Sequence, residues 1–506
     1  MSRARAVLLL LLLLPVVGLL AAACGSGSGT SSAATGTVSA TARGGAGGGA
    51  VLAVWPEFGL GPERSGATDA ATGISAADLG KLDDRRVTLP GTIDSSPIYL
   101  AGAKVRGGTH DLVVVTSSYG RTFALDANSG KRLWTYTPPS YAGLEGSAQI
   151  TTTSPALDPR PQHRYVYTAS PDGEVHKLLL ASGKEVRTGA WPVTVTHDPT
   201  KEKMGAALNV DGTYVIAATS GYIGDAPVYQ GHVVLIDRES GKVAAVFNTL
   251  CANRRSIIVP TSCPQSDSAI LSRGGAVVEP GGKRLLIDTG NGTWDGRRFF
   301  GDSVLELTVP GLHLRQSYTP RNQAELNSRD ADLGSSAPAL LGEDRVLVGG
   351  KDGVLRVLDL KRLDGHAPGG KPHLGGEVQT LPSPGAAPLF TAPAVWHHGN
   401  QTTVFVADFS ATAAYALRNG RLHEIWENEI PGTSPVVAGG LVYVYDPTGG
   451  GINVYHPNSP SPIAKLPGAP GHWNSPIVVD GHVIEPEGDA NDHSDMGTID
   501  LFGLGR

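Results

Sequence analysis

The chain has 506 residues, room for one large domain or several at about 100–200 residues each. Charged residues make up 17% and the formal net charge is -6, which excludes the basic footprint of a nucleic-acid binder and any long like-charge tail. Gly 67 and Pro 36, set against Phe 9 and Met 3, favour many tight turns between short strands over long helices.

The first element is an apolar run behind Arg3 and Arg5 that ends in Ala21-Ala22-Ala23-Cys24. A charged start, an apolar stretch and small residues at its end form an export signal, predicted over residues 1–23. Cys24 stands directly after three small residues and resembles the cysteine of a bacterial lipobox, which is lipidated and becomes the mature N-terminus. An ordinary cleaved signal and an uncleaved anchor are the alternatives. Residues 24–50 are almost entirely Gly, Ala, Ser and Thr, cannot bury enough apolar surface to fold, and read as a tether with a reach on the order of 30 Å. The expected setting is the outer side of the cell membrane, facing the periplasm or the exterior, with the membrane as partner of the lipid.

Residues 51–506 read as one domain built from a repeat. A strand start of the form Ser/Thr-Ser-Pro or Ala-Pro recurs at Ser95-Ser96-Pro97, Thr153-Ser154-Pro155, Ser336-Ala337-Pro338, Thr391-Ala392-Pro393, Thr433-Ser434-Pro435 and Asn474-Ser475-Pro476. Proline-free starts at Gly205-Ala206-Ala207 and Arg273-Gly274-Gly275 fill the long gap after Pro155, which gives eight units. The best-formed unit, residues 112–136, runs through Tyr119-Gly120, a strand ending Ala124-Leu125-Asp126, a turn at Asn128-Ser129-Gly130 and a strand ending at Trp134. Fainter copies lie at 232–247, 346–360 and 404–417. Alternating strands and Asp-x-x-x-Gly-Lys hairpins, repeating every 40 to 60 residues or so, predict an all-β fold: an eight-bladed β-propeller of four-stranded antiparallel blades. The last unit stops after its third strand at Leu501-Phe502, so residues 85–91, ahead of the first unit, are predicted to supply the fourth strand and close the ring.

Two further features fall between the repeats. Cys251 and Cys263 form an isolated close pair without nearby histidines, read as a disulfide closing a loop. Residues 485–497 hold Asp489, Asn491, Asp492 and Asp495, but His493 breaks the spacing of a calcium loop, and a solvated hairpin is expected.

The pattern Gly-x-x-x-Ala-Leu-Asp-x-x-x-Gly-Lys-x-x-Trp, complete in the first unit, resembles the PQQ repeat, named for pyrroloquinoline quinone. The resemblance spans residues 86–503 or so and implies the eight-bladed fold. It also implies two kinds of function, because the repeat occurs both in quinone- and calcium-dependent alcohol dehydrogenases and in non-catalytic propeller lipoproteins such as the outer-membrane assembly factor. In the dehydrogenases a glutamate and an asparagine hold calcium, an aspartate is the base, a cation contacts the quinone, a tryptophan floors it and adjacent cysteines cover it. A hard cation takes oxygen ligands and polarises the quinone, while the carboxylate accepts the alcohol proton.

By that resemblance Asn291 matches the asparagine ligand, Asp330 and Asp332 stand where the base precedes the fifth unit, and Lys351 matches the quinone-contacting cation. The glutamate would fall near Tyr222-Ile223-Gly224-Asp225, where Asp225 alone offers a carboxylate. The floor reads Gly274-Gly275-Ala276-Val277-Val278 without an aromatic ring, and no adjacent cysteine pair exists. The plainer reading makes Asn291 a turn residue, Asp330 and Asp332 caps of the loop entering the fifth unit, and Lys351 an exposed hairpin cation. The sequence therefore favours a membrane-anchored, non-catalytic propeller that binds or scaffolds an unidentified envelope protein or ligand, with a PQQ- and calcium-dependent dehydrogenase of alcohols or sugars as the alternative.

Overall fold

The computed structural model describes residues 42–44, 50–224 and 226–505, within a compact unit spanning Gly36–Arg506. Cys24, the export signal, most of the tether and Asp225 lie outside the described residues.

Eight antiparallel sheets succeed one another as the blades of a propeller, each with its first strand innermost. Blade 1 comprises Ile98–Val105, Gly108–Thr116, Thr122–Asp126 and Arg132–Tyr136. The inner strands of blades 2 to 7 are Ala156–Leu157, Asn209–Asp211, Val277–Val278, Ala339–Gly342, Ala394–His398 and Val436–Ala438. Blades 3 and 4, the two without the proline signature, are as complete as the rest. Blade 8 holds Ile477–Val479, His482–Glu487 and Met496–Leu504, and its fourth strand is Leu82–Pro90. That closing pair runs from Met496 opposite Pro90 to Leu504 opposite Leu82, three residues longer at its start than the sequence predicted. Central strands such as Leu441–Tyr445 are buried at every position because a blade packs against a neighbour on each face.

The repeat motif has local physical causes. Asp126 Oδ1 accepts from the backbone N–H (2.8 Å) and hydroxyl (2.7 Å) of Ser129, and Gly130 follows at φ 68°. The same turn recurs with Asp237, Ser240 and Gly241 at φ 74°. A short polar side chain that bonds its own turn, followed by a residue free to take positive φ, fixes the hairpin. The motif tryptophan joins one blade to the next: Trp134 Nε1 donates to Leu180 O at 2.8 Å, and Trp426 Nε1 to Pro457 O at 2.9 Å. The strand-start hydroxyls also run between blades. Ser96 Oγ donates to Ser475 O (3.0 Å), Ser475 Oγ to Ser434 O (3.3 Å) and Ser336 Oγ to Thr391 O (2.7 Å).

A segment unexplained by the repeat crosses one mouth of the ring. Val54–Trp55 adds a fifth strand inside blade 1, pairing with Leu100 and Tyr99. From there Pro56 O accepts from Leu157 N (2.8 Å), Pro62 O from Val278 N (2.9 Å), Ser65 O from Val395 N (2.7 Å) and Thr72 O from Gly481 N (2.5 Å). These donors lie on inner strands, mostly at their far ends, or in the turn after one. Arg64 pins this strap, donating to Phe58 O (2.6 Å), Leu208 O (2.9 Å) and Gly274 O (3.1 Å) and pairing with Glu57 at 3.2 Å. Burial pushes the Glu57 carboxyl up to about 7 although Arg64 opposes it. Phe58 packs with Ala207, Ala337 and Ala392, small residues at the starts of blades 3, 5 and 6, and plugs the channel.

Candidate functional site

The residues just before those strand starts face the opposite mouth. Together with the loops between second and third strands they line a funnel with a cavity of about 530 Å³. The loop from the second to the third strand of blade 3 contributes Tyr222, Ile223 and Gly224, blade 5 contributes Lys351, and blade 8 contributes Asp489 and Asn491.

One wall collects the residues matched from sequence. Asp332 is buried, and its Oδ1 accepts from Asn291 N at 2.6 Å while Lys351 Nζ pairs with Oδ2 at 2.5 Å. Lys351 also reaches Asp330 at 3.3 Å. Burial raises the Asp332 carboxyl and the lysine opposes it; burial works against charge on Lys351, but the two aspartates outweigh it and hold the ammonium above its ordinary range. Two sequence expectations are corrected here. Asp332 precedes the short helical turn Leu333–Ser335 without a side-chain cap, because its carboxylate is spent on Asn291 and Lys351. Lys351 is not an exposed hairpin cation but a half-buried member of an ion-pair cluster. The Asn291 backbone donates to Asp332 Oδ1 and accepts from Ser268 N at 2.5 Å, both far from it in sequence. Asp302 lies behind this wall, receives Leu333 N at 3.2 Å and is pushed up to about 8, chiefly by burial.

Of the facing wall only Asp489 was singled out from sequence, and only as part of an expected solvated hairpin. Arg273 Nη2 meets Asp94 Oδ1 at 2.6 Å and Nη1 meets Asp94 O at 2.6 Å, while His472 Nδ1 lies 3.0 Å from Asp94 Oδ2 and 3.4 Å from Asp489 Oδ1. Burial opposes charge on Asp94, yet Arg273 and His472 outweigh it and hold the carboxyl at about 2. Asp94, His472 and Asp489 have the separation of a metal cluster, but the guanidinium of Arg273 already occupies their charge. Trp473 stacks on Phe390 with centroids 5.0 Å apart and planes 13° apart. Lys203 completes the lining, and burial, aided by Arg273, lowers its ammonium to about 8. The signal that finds this wall is positional: Asp94, His472 and Trp473 directly precede repeat starts. The stretch expected to be a solvated hairpin is corrected as well, since Glu485 and Glu487 are buried in a strand and only the part from Asp489 onward forms a loop.

A third arrangement has the outline of a nucleophilic triad. Ser170 Oγ lies 2.6 Å from His176 Nε2, and His176 Nδ1 lies 2.7 Å from Glu185 Oε1. Ser170 and His176 have no exposed surface, so no substrate reaches them and the network ties strands of blade 2 together. The predicted disulfide is present, Cys251 to Cys263 with Cα atoms 6.1 Å apart, packed among Leu250, Ile258 and Phe299 rather than over the funnel.

Residues 94–256 match the family model described as outer membrane protein assembly factor BamB. A quinohemoprotein alcohol dehydrogenase of Comamonas testosteroni is 24% identical over 254 residues, 48% of this chain and 31% of that enzyme. The chain is an eight-bladed propeller, with PQQ-type repeats matched over residues 94–256. Quinohemoprotein alcohol dehydrogenase ADHIIG of Pseudomonas putida superposes on it with a TM-score of 0.67 at 14% identity, over 90% of this chain and 80% of that one. BamB of Moraxella catarrhalis gives 0.52 at 13%, over 83% and 99%. The propeller spans about a third of the length of the curated relatives it matches, 31% and 33%.

The quinone and calcium of such enzymes fit this funnel poorly. At the floor position a Cβ on Gly274 would lie 2.7 Å from Ala337 Cβ, so the neighbouring blade leaves no room there for a blade 4 aromatic. Tyr222, Ile223 and Gly224 line the funnel where the second metal ligand would stand, and Asp225, the carboxylate matched to it from sequence, lies outside the described residues. The aspartate and lysine in the base and cation positions neutralise each other.

Proposed function

We propose that the protein is an exported, lipid-anchored propeller that binds a ligand or an envelope partner at its funnel and does not oxidise alcohols. The observation that carries this reading is the closed cluster of Asp332, Lys351 and the Asn291 N–H, which commits the buried carboxylate at both oxygens and ties the lysine to two aspartates. A general base works through an accessible acceptor of suitable pKa, and this carboxylate is already bonded at both oxygens. Cys24 supports the anchor through its place after the export signal. Cell fractionation checks that part: Cys24→Ser should move the protein out of the membrane fraction, whereas unchanged retention would make the apolar segment the anchor.

The dehydrogenase remains the second reading because Asp330, Asp332 and Lys351 converge on one wall of the funnel and Asn291, some sixty positions before Lys351, is bonded to Asp332 through its backbone. Dye reduction by purified protein, with quinone, calcium and a panel of primary alcohols and aldoses, separates the two. The binding reading expects no turnover. Dye reduction that disappears in Asp332→Asn would establish the enzyme.

A further inference from the structure

We propose that the funnel is a receptor site for a small monocarboxylate with an apolar body, its carboxylate on Lys203 and its body along Leu271 and the Phe390–Trp473 pair. The inference rests on the reading that the funnel is not a quinone site. Among the described residues Lys203 Nζ has no hydrogen-bond or ion-pair partner, while its backbone is fixed by pairing opposite Ser220, whose hydroxyl donates to Lys203 O at 3.4 Å. The other two cations of the funnel are committed, Lys351 to Asp330 and Asp332, and Arg273 to Asp94 at 2.6 Å. An ammonium held in a recess with no described carboxylate bonded to it is an attractive site for an anion, because a charge-assisted bond there replaces water.

The surroundings select the anion. Asp489, Asp330 and Asp332 line the same funnel and repel a second negative charge, so one carboxylate suits the site better than a phosphate dianion. Thr152 and Ser220 bring hydroxyls to the lining that holds Lys203, and Leu271 and the stacked Phe390 and Trp473 bring apolar surface to it. Exposed Ile223 (82%) and Phe409 (39%) mark the rim and extend the apolar lining outward. A cavity of about 530 Å³ holds a ligand of one or two rings.

Titration calorimetry on the full chain tests this with phenylacetate, 3-phenylpropionate and hexanoate, against 3-phenylpropan-1-ol and inorganic phosphate. At least one carboxylate should bind saturably, with the alcohol about tenfold weaker or more. Lys203→Met should lose that binding and Lys203→Arg restore it, with unchanged circular dichroism showing that both variants fold. The proposal is overturned if none of the carboxylates saturates, if the alcohol or phosphate binds as well, or if Lys203→Met binds like the parent. A separate arm with quinone and calcium addresses the underlying reading: calcium-dependent quinone binding lost in Asn291→Ala would remove that reading, whereas silence in both arms would remove only the carboxylate.

Discussion

Arg64 shows how one side chain holds a segment that the repeat does not encode. Its guanidinium satisfies three carbonyls and Glu57 inside the ring, and both members of the pair are almost fully buried. Removing one partner of a buried pair leaves the other charge uncompensated, which costs about 3–5 kcal/mol, whereas removing both costs far less. Arg64→Met should therefore lower the melting temperature sharply, and Arg64→Met combined with Glu57→Gln should recover part of the loss. Equal melting of the single variant and the parent would mean the strap is held by its backbone alone. Lys203 yields a second expectation at this scale. Its lowered pKa of about 8 keeps it charged below that pH and neutral above it, so amine-directed labelling of Lys203 should rise around pH 8, ahead of ordinary surface lysines at about 10.4.

At the scale of elements, ring closure is the vulnerable joint. Leu82–Pro90 pairs along its whole length with Met496–Leu504, hiding two strand edges without a covalent link. Deleting residues 497–506 should cause aggregation or unfolding; a truncated protein that melts like the parent would contradict this closure. The joint is also charged. Glu485 and Asp500 face each other across two strands, Arg86 pairs with Asp500 at 3.2 Å and with Glu487, and burial together with the neighbouring carboxylates raises both Glu485 and Asp500. A carboxyl raised in the folded state binds more protons there than when unfolded. Stability from this joint is thus greatest near the unfolded value of about 4 and falls as pH rises above it. Asp500→Asn should flatten that fall in melting temperature; an unchanged slope would place the pH dependence elsewhere.

At the scale of the whole molecule, the blades were legible and the plug was not. Six Ser-Pro or Ala-Pro starts and the Asp-x-x-Ser-Gly turns announce themselves because each does a job repeated in more than one blade. Closure by residues near 85–91 followed from counting strands. The strap over residues 53–74 has no repeat and no period, since each residue meets a different blade, and nothing local marks it. The site divides in the same way. Asn291, Asp330, Asp332 and Lys351 were found by resemblance, but that they neutralise one another depends on distances between blades 4 and 5. Asp94, Arg273, His472 and Lys203 come from blades far apart in sequence and meet only because the ring closes.

On the proposed reading the funnel is a binding mouth, since the groups matched to a quinone site by resemblance are bonded to each other. Equilibrium dialysis of the purified full chain against pyrroloquinoline quinone, with and without calcium, tests that most directly. The account predicts no calcium-dependent retention of the quinone, in the parent and in Asn291→Ala alike. Saturable, calcium-dependent retention at one quinone per chain that is lost in Asn291→Ala would contradict it.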